Sequence, residues 1–436
     1  MARPQGTGSA KSFTSNLTEQ GPAAGDRCKA SLRRLYSMSA QHQSDLAVAG
    51  RQLADGCCVP QCGAMAIQNL SARDFRIDLF RGLSIWFIFL DHIPETYLNH
   101  LTPKNFGFSD AAEILVFLSG FASGSVYGGI ARQSGMTSAL LRVLRRAFEI
   151  YIAQIVTIVG LLAVIALFAV RQPDLLDHAN LALFVANPAE ALFQAALLRY
   201  SPVNLDPLLL MAILHFGLVL VLPAMIRWPT PTLIASAALY FVSHWLDWSL
   251  PAYPRGVIYF NPLNWQLLYV IGMWWGMKSA REKPDVLKSR VLVSLAVIYL
   301  LFSFFITLGW HFHSLEAYVP QVIVATIYPI DKGDLDSLRL MHFLALALLC
   351  WCILPSDLPL LRTPLLRPVV QCGEYSLGIY CISVLLSFAA HAILNLGWND
   401  LVSETLVSAA GIAVMAATAV VLAKVNRATD AHPCTL

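Results

Sequence analysis

Residues 73–121 read RDFRIDLFRGLSIWFIFLDHIPETYLNHLTPKNFGFSDAAEILVFLSGF, and this stretch predicts the fold of the chain. Two apolar segments follow one another there, and each is long enough to cross a bilayer. Ionisable residues lie within them: Asp91 and His92 in the first segment, Asp110 and Glu113 at the start of the second. An acid or an imidazole at membrane depth must be paired or hydrated, so these residues mark a candidate functional site.

The composition of the whole chain indicates a membrane protein. Of its 436 residues, 57% are hydrophobic and only 13% are charged, and the mean hydropathy is +0.60. A soluble domain carries about a quarter charged residues, so the bilayer is needed as the solvent for so much apolar surface. The net charge of +3 is too small to indicate nucleic-acid binding.

The N-terminal part differs from the rest of the chain. Residues 1–70 are polar and have no helical or strand period, so we expect a disordered tail there. Met65 opens MAIQNLSARDFRIDLFRGL, a natural short leader to the first helix, and translation from Met65 is therefore an alternative that would remove residues 1–64. We expect a transmembrane domain at 71–425 and a short C-terminal tail at 426–436.

Hydropathy from Ile77 onward predicts an all-α polytopic bundle with about ten transmembrane helices. The predicted spans are 77–97, 109–130, 147–170, 205–226, 231–247, 264–278, 291–310, 338–354, 372–394 and 403–423. If the N-terminus is cytoplasmic, 17 lysines and arginines lie on the cytoplasmic side of these spans and six on the outer side. This bias follows the positive-inside rule, and both termini are then expected to be cytoplasmic.

Two groups of polar residues fall at opposite ends of the predicted bundle. The outer group joins the four ionisable residues of the first two spans, and its mixture of aromatic, amide and charged side chains suits a sugar-like or other polar acceptor. Its further members are the acceptor-binding candidates Asn261, Trp265, Gln266, Lys332, Arg339 and His342. Arginines at the cytoplasmic end suit the phosphates of a donor, although they also serve as topology signals. These donor-binding candidates are Arg81, Arg142, Arg145 and Arg146.

Several phrases resemble membrane-integral acyltransferases of type 3. They are RIDLFRGLSIWFIFLDH, in which an Arg-Gly pair precedes a histidine by about ten residues, VFLSGF at 116–121, and LRVLRRAFEIY. More specifically, the chain resembles the OpgC family, which is implicated in adding succinyl groups to osmoregulated periplasmic glucans. This resemblance is carried by DAAEILVFLSGF, YFNPLNWQLLYVIGMWWG, DKGDLDSLRLMHFLALALL and CGEYSLGIYCISVLLSF, and it extends over about 73–423.

The resemblance implies an activity and its partners. It implies an O-acyltransferase with an acyltransferase type 3-like bundle in a bacterial inner membrane. It also implies a cytoplasmic acyl-CoA donor, with succinyl-CoA expected, and a periplasmic glucan acceptor. Acyl-CoA would be a co-substrate, and no permanently bound cofactor is expected.

Acyl transfer to a hydroxyl needs a base and stabilisation of an oxyanion. His92 is the best candidate for the base because imidazole titrates near neutral pH. The alternative for His92 is a structural histidine bonded to a neighbouring helix. Asp91 is a poor partner for it, since adjacent helical residues point about 100° apart. Glu113 or Asp110 is the better candidate for orienting the imidazole, and the alternative for Glu113 is an ion pair with Arg339 or Lys332.

Other interpretations remain open. Ser119 is a possible nucleophile for a covalent acyl intermediate, although close helix packing through Ser119, Gly120, Ser123 and Gly124 is favoured. No acidic or histidine pair has metal-ligand spacing, so no metal site is predicted. The alternative function is a proton-coupled transporter or flippase of a polar or sugar-containing solute. The absence of an obvious internal repeat and of matched Gly/Pro-broken spans weighs against it. A sensor or scaffold would leave the buried histidine and acids without a purpose.

Overall fold

The structure is a computed structural model, and it describes residues 74–93, 96–168, 180–278, 289–311, 321–355, 359–397 and 400–430. The predicted tail at 1–70 and the leader from Met65 lie outside these residues. All of the described residues belong to one compact unit, Asp74–Leu436.

The described residues form helices joined by short loops. In chain order, the α-helices are α1 (Phe75–Asp91), α2 (Ala111–Ser134), α3 (Met136–Phe168), α4 (Ala182–Ala186), α5 (Pro188–Ala196), α6 (Asp206–Arg227), α7 (Pro229–Trp245), α8 (Pro262–Met277), α9 (Arg290–His311), α10 (Gln321–Ile327), α11 (Ser337–Ile353), α12 (Arg367–Glu374), α13 (Ser376–Leu394) and α14 (Leu401–Asp430). Short 3₁₀ helices occupy Tyr97–Leu101, Pro103–Asn105 and Pro359–Arg362. Within the described ranges, extended pairing is limited to an isolated bridge between Pro251 and Val257. The all-α prediction is thus confirmed for these residues.

Six of the described helices are long and apolar enough to cross a membrane: α2, α3, α6, α9, α13 and α14. They support a multi-pass membrane protein. The prediction of about ten spans is not confirmed, because α1, α7, α8 and α11 coincide with predicted spans but have only 16 or 17 residues. About 20 residues are needed for a ~30 Å hydrocarbon core. Polar residues mark the ends of three of these helices. Helix α1 ends at Asp91, before its predicted end at residue 97, and Asn261 and Asp336 cap the starts of α8 and α11.

Helices α2 and α8 pack with their backbones in contact. A Cβ atom built on Gly120 or Gly124 of α2 would overlap the carbonyl oxygens of Tyr269 and Met273. In the same way, a Cβ on Gly272 of α8 would overlap the carbonyl of Phe117. Small residues four apart on both helices allow this approach. The packing interpretation of Gly120 and Gly124 is therefore confirmed.

A second glycine contact joins α1 to α12. A Cβ on Gly82 would overlap the carbonyl of Val369, and a Cβ on Gly373 would overlap the carbonyl of Asp78. Gly82 belongs to the Arg-Gly pair of the first helix, so the glycine of that pair serves helix packing. The two glycine-packed helix pairs carry some of the polar residues singled out in the sequence, among them Arg81, Asp91 and Glu113.

Candidate active site

A cavity of about 530 Å³ lies where α1 ends and where α2 and α6 begin. We call it the outer cavity, after its place in the predicted topology. It is lined by Asp91, His92, Asp110, Asp206 and Lys332, together with loop residues from 199–204 and 252–260. Asp91, His92 and Asp110 therefore share one cavity, and Glu113 does not line it.

His92 presents its ring to this cavity. The residue follows the last turn of α1, and its backbone N–H donates to the carbonyl of Ile88 at 3.1 Å. Among the residues that the structure describes, none forms a hydrogen bond with the imidazole. The alternative of a structural histidine bonded to a neighbouring helix therefore finds no contact there to support it.

Asp91 binds residues of the loop that follows α1. Its Oδ1 accepts a hydrogen bond from the hydroxyl of Thr102 at 2.6 Å and lies 3.3 Å from Nζ of Lys104. This agrees with the expectation that the neighbouring carboxylate is a poor partner for His92. Thr102 and Lys104 belong to the loop between α1 and α2, so Asp91 fastens this loop to the end of the helix.

Asp110 and Glu113 form a capping box at the start of α2. The carboxylate of Asp110 accepts from the N–H of Ala112 at 2.8 Å, and that of Glu113 accepts from the N–H of Asp110 at 2.9 Å. These bonds satisfy backbone donors that every helix start leaves unpaired. Both carboxylates are buried.

The same two carboxylates bind two cations. Glu113 Oε1 lies 2.8 Å from Nε of Arg339, and Asp110 Oδ2 lies 3.1 Å from Nη2 of Arg339 and 2.7 Å from Nζ of Lys332. We call Asp110, Glu113, Lys332 and Arg339 the charge network. Neither carboxylate hydrogen-bonds His92, so the structure supports the pairing alternative for Glu113 and gives no contact for its orienting role.

Lys332 is the member of the network that reaches the outer cavity beside Asp110. Burial of its ammonium alone would lower its pKa, but the carboxylate of Asp110 outweighs burial and leaves the pKa above its ordinary value of 10.5. Lys332 therefore stays charged at neutral pH. Only one of its three N–H donors is needed for Asp110.

The other acceptor-binding candidates lie away from the cavity. Trp265 is fully buried, and its indole N–H donates to the carbonyl of Gly333 at 2.9 Å. The amide of Asn261 donates to Asp334 at 2.9 Å, and the amide of Gln266 donates to the carbonyl of Ser236 at 2.8 Å. Because these groups are used inside the protein, the structure does not bring them to the position where they would stack on or bind an acceptor.

His342 is also used within the protein. Its Nδ1 lies 2.7 Å from the hydroxyl of Ser109, the residue before the α2 cap, and it is buried. His342 and Arg339 therefore hold the start of α2 rather than line the cavity.

Several cavity residues were missed in the sequence. They lie in two loops that flank predicted spans on the outer side, RYSPVNLD and AYPRGVIYF. The lining residues from these loops are Arg199, Tyr200, Ser201, Val203, Asn204, Asp206, Ala252, Tyr253, Pro254, Arg255, Val257, Ile258, Tyr259 and Phe260. These loops could have been recognised in the sequence by their polar and aromatic residues. Each also contains an arginine, on the side of the predicted bundle where lysine and arginine are scarce.

A second, smaller cavity of about 160 Å³ lies deeper along α2 and contains two of the donor-binding candidates. We call it the inner cavity. Arg81 and Arg146 line it, together with Ser119 and Tyr380. Its walls come from α1, α2, α3, α6 and α13.

The other two arginines do not line the inner cavity. Arg145 is exposed and pairs with Glu149 at 3.1 Å, and Arg142 is exposed without lining the inner cavity. The structure thus brings Arg81 and Arg146 together and leaves Arg142 and Arg145 outside.

Only a thin wall separates the two cavities. On α6, Leu208 lines the inner cavity and the adjacent Leu209 lines the outer one. On α2, Leu115 lines the inner cavity and Ala112, about one turn earlier, lines the outer one. The hydroxyl of Tyr380, on the inner side, donates to the carbonyl of Asn204, on the outer side, at 2.8 Å. A ligand in one cavity would thus lie within a few side chains of a ligand in the other.

The fold and the cavities define a multi-pass membrane protein with a polar site inside its helical bundle. Residues 73–427 match the model of the family described as OpgC protein, which is most of the chain. The chain belongs to the OpgC family, as the sequence phrases indicated, and this family suggests a transferase with an acyltransferase-like role in glucan modification. Neither the curated proteins nor the solved structures give a significant match.

Proposed function

We propose that the protein moves a short acyl group, expected to be succinyl, from cytoplasmic acyl-CoA to a hydroxyl of a periplasmic glucan. The observation that carries this proposal is the pair of cavities on either side of one thin wall. Arginines line the inner one, and an imidazole without a hydrogen-bond partner in the described residues lines the outer one. The proposal includes an inner-membrane location with the outer cavity facing the periplasm.

The donor would bind at the inner cavity. Arg81 and Arg146 line it, where Arg81 also donates to the carbonyl of Leu118 at 3.2 Å and Arg146 also pairs with Glu149 at 3.1 Å. Guanidinium groups bind phosphate oxygens in a bidentate manner. The acyl chain would then pass the wall near Leu208 and Tyr380, bringing the thioester carbonyl towards His92.

The chemical step needs few groups. The imidazole of His92 takes the proton of the glucan hydroxyl, and the oxygen attacks the thioester carbonyl carbon. The tetrahedral oxyanion would be stabilised by the ammonium of Lys332, which lines the outer cavity. Collapse breaks the carbon–sulfur bond, and the imidazolium returns its proton to the leaving thiolate of CoA. No external oxidant or reductant is required.

Transfer would be direct and not through Ser119. The hydroxyl of Ser119 donates to the carbonyl of Leu115 at 2.8 Å, and a serine nucleophile needs a base within hydrogen-bond reach. Such a backbone bond is usual for a serine inside a helix. In the Ser119→Ala variant we expect activity within about tenfold of wild type. A loss as large as that of His92→Ala would favour an acyl-enzyme instead.

The test uses purified protein in detergent, a panel of acyl-CoA donors and a soluble glucan. Thiol release and the mass of the glucan are followed for wild type and for His92→Ala, in which we expect a loss of roughly 10²–10⁴-fold. His100→Ala is the matched control, because this exposed histidine lines neither cavity. If no donor is consumed while reconstituted vesicles transport a polar solute, the acyltransferase proposal fails in favour of a proton-coupled transporter or flippase.

A further inference from the structure

Two arginines line the outer cavity without a role in the chemical step described above. They are Arg199, between α5 and α6, and Arg255, between α7 and α8, and both side chains are exposed. Within the described ranges, no carboxylate lies within ion-pair distance of either guanidinium. The other basic residue of the cavity, Lys332, is already bound to Asp110.

The loops that carry these arginines are fastened to each other. The N–H of Tyr253 donates to the carbonyl of Arg199 at 2.8 Å, and the N–H of Ala252 donates to the carbonyl of Gly256 at 3.0 Å. The buried Tyr200, next to Arg199, hydrogen-bonds the carbonyl of Asn180. The two guanidinium groups are therefore presented by one connected piece of the cavity wall.

The balance of charge in the cavity favours an anionic ligand group. Asp91 is paired with Lys104, and Asp110 with Lys332 and Arg339. The remaining carboxylate, Asp206, interacts electrostatically with Lys332. The cavity therefore has the two guanidinium charges of Arg199 and Arg255 and one remaining carboxylate. A planar guanidinium can bind a carboxylate through two parallel hydrogen bonds.

We propose that Arg199 and Arg255 bind the free carboxylate of a dicarboxylic acyl group and thereby make the transfer selective for such donors. This inference rests on the proposed function. An acyl group whose carbonyl is held near His92 would extend its far end into the outer cavity, whose lining includes the two arginines. An anionic substituent on the glucan has the same chemistry, and the experiment must separate the two sources.

The experiment compares succinyl-CoA with butyryl-CoA, which has the same chain length but no charge at its end. Each donor is tested with an uncharged glucan, for wild type, Arg199→Gln and Arg255→Gln. We expect kcat/KM for succinyl-CoA to fall on the order of tenfold or more in each variant, with little change for butyryl-CoA, because a hydrogen-bonded charge pair is lost for only one donor. Arg227→Gln is the control, since this exposed arginine at the far end of α6 lines neither cavity.

A second arm repeats the assay with a glucan that already carries succinyl groups. A loss that appears only with this acceptor would assign the arginines to the acceptor and overturn the proposal. Equal losses for both donors, or no loss for either, would also overturn it. Free succinate should inhibit wild type more strongly than either variant, and butyrate should not discriminate between them. If wild type transfers no acyl group from any donor, the proposed function fails and this inference fails with it. If wild type transfers acyl groups and the variants keep the wild-type preference between the two donors, this inference alone is refuted.

Discussion

Removal of Arg339 should destabilise the protein more than its single positive charge suggests. Glu113 has no exposed side-chain surface and Arg339 only 10%, and their closest atoms, Glu113 Oε1 and Arg339 Nη2, lie 2.7 Å apart. Replacing Arg339 by methionine would leave a buried carboxylate without its cation. Such a loss costs about 3–5 kcal/mol, because the remaining charge is neither hydrated nor paired.

A double variant tests whether the cost comes from the unpaired carboxylate of Glu113. If the cost comes from the stranded carboxylate, Glu113→Gln should restore about 1–3 kcal/mol when it is added to Arg339→Met. The measurement is chemical unfolding in detergent, followed by far-ultraviolet circular dichroism for the two single variants and the double variant. Strictly additive losses would refute the account of the charge network given above.

A surface pair provides the control for this series. Arg145 pairs with Glu149 at 3.1 Å, but its side chain is 83% exposed. An exposed pair of this spacing contributes about 0.3–0.5 kcal/mol at most, so Arg145→Met should leave the unfolding midpoint nearly unchanged.

Three further predictions concern single residues. Lys332→Gln should be less stable than wild type at neutral pH, because the folded protein raises the pKa of Lys332. The difference in unfolding midpoint between the two proteins should persist at lower pH. It should shrink only as the pH rises above 10.5, the ordinary pKa of a lysine. Gly272→Val should reduce the yield of folded protein on size-exclusion chromatography, because the added carbon atoms meet the carbonyl of Phe117, and a yield equal to wild type would contradict the backbone contact. Arg146→Gln should raise KM for acyl-CoA about tenfold, whereas Arg145→Gln should not. Steady-state kinetics can measure both values, and equal effects would count against the inner cavity as the donor site.

The helical architecture could be predicted from the sequence because its determinants are local. Each apolar run predicts its own helix, and the phrase FLSGF contains small residues at the place where α2 packs against another helix. The number of membrane-crossing helices could not be fixed in the same way. Helix α1, for example, ends at Asp91 and not at the predicted residue 97, and the carboxylate of Asp91 binds Thr102 of the following loop.

The partners of the polar residues were much harder to predict than the residues themselves. His92, Asp91 and Asp110 were found because charged or imidazole groups in apolar runs are conspicuous, and the structure places all three on one cavity. Trp265 was expected at an acceptor, but its indole bonds a carbonyl inside the protein. Arg199 escaped notice since an arginine in a polar loop resembles any solvated residue. Contacts between distant segments decide such cases, and one sequence does not contain them.

Helix α2 carries residues of both cavities, with Asp110 at its start and Ser119 and Tyr127 further along. Nine residues of helix separate Asp110 from Ser119, which corresponds to about 13 Å. This distance lies within one helix and is set by that helix, and the backbone contacts at Gly120 and Gly124 hold the helix against α8. Under the proposed function, the donor and acceptor sites would therefore keep a constant spacing, and the acyl group itself would have to move between them.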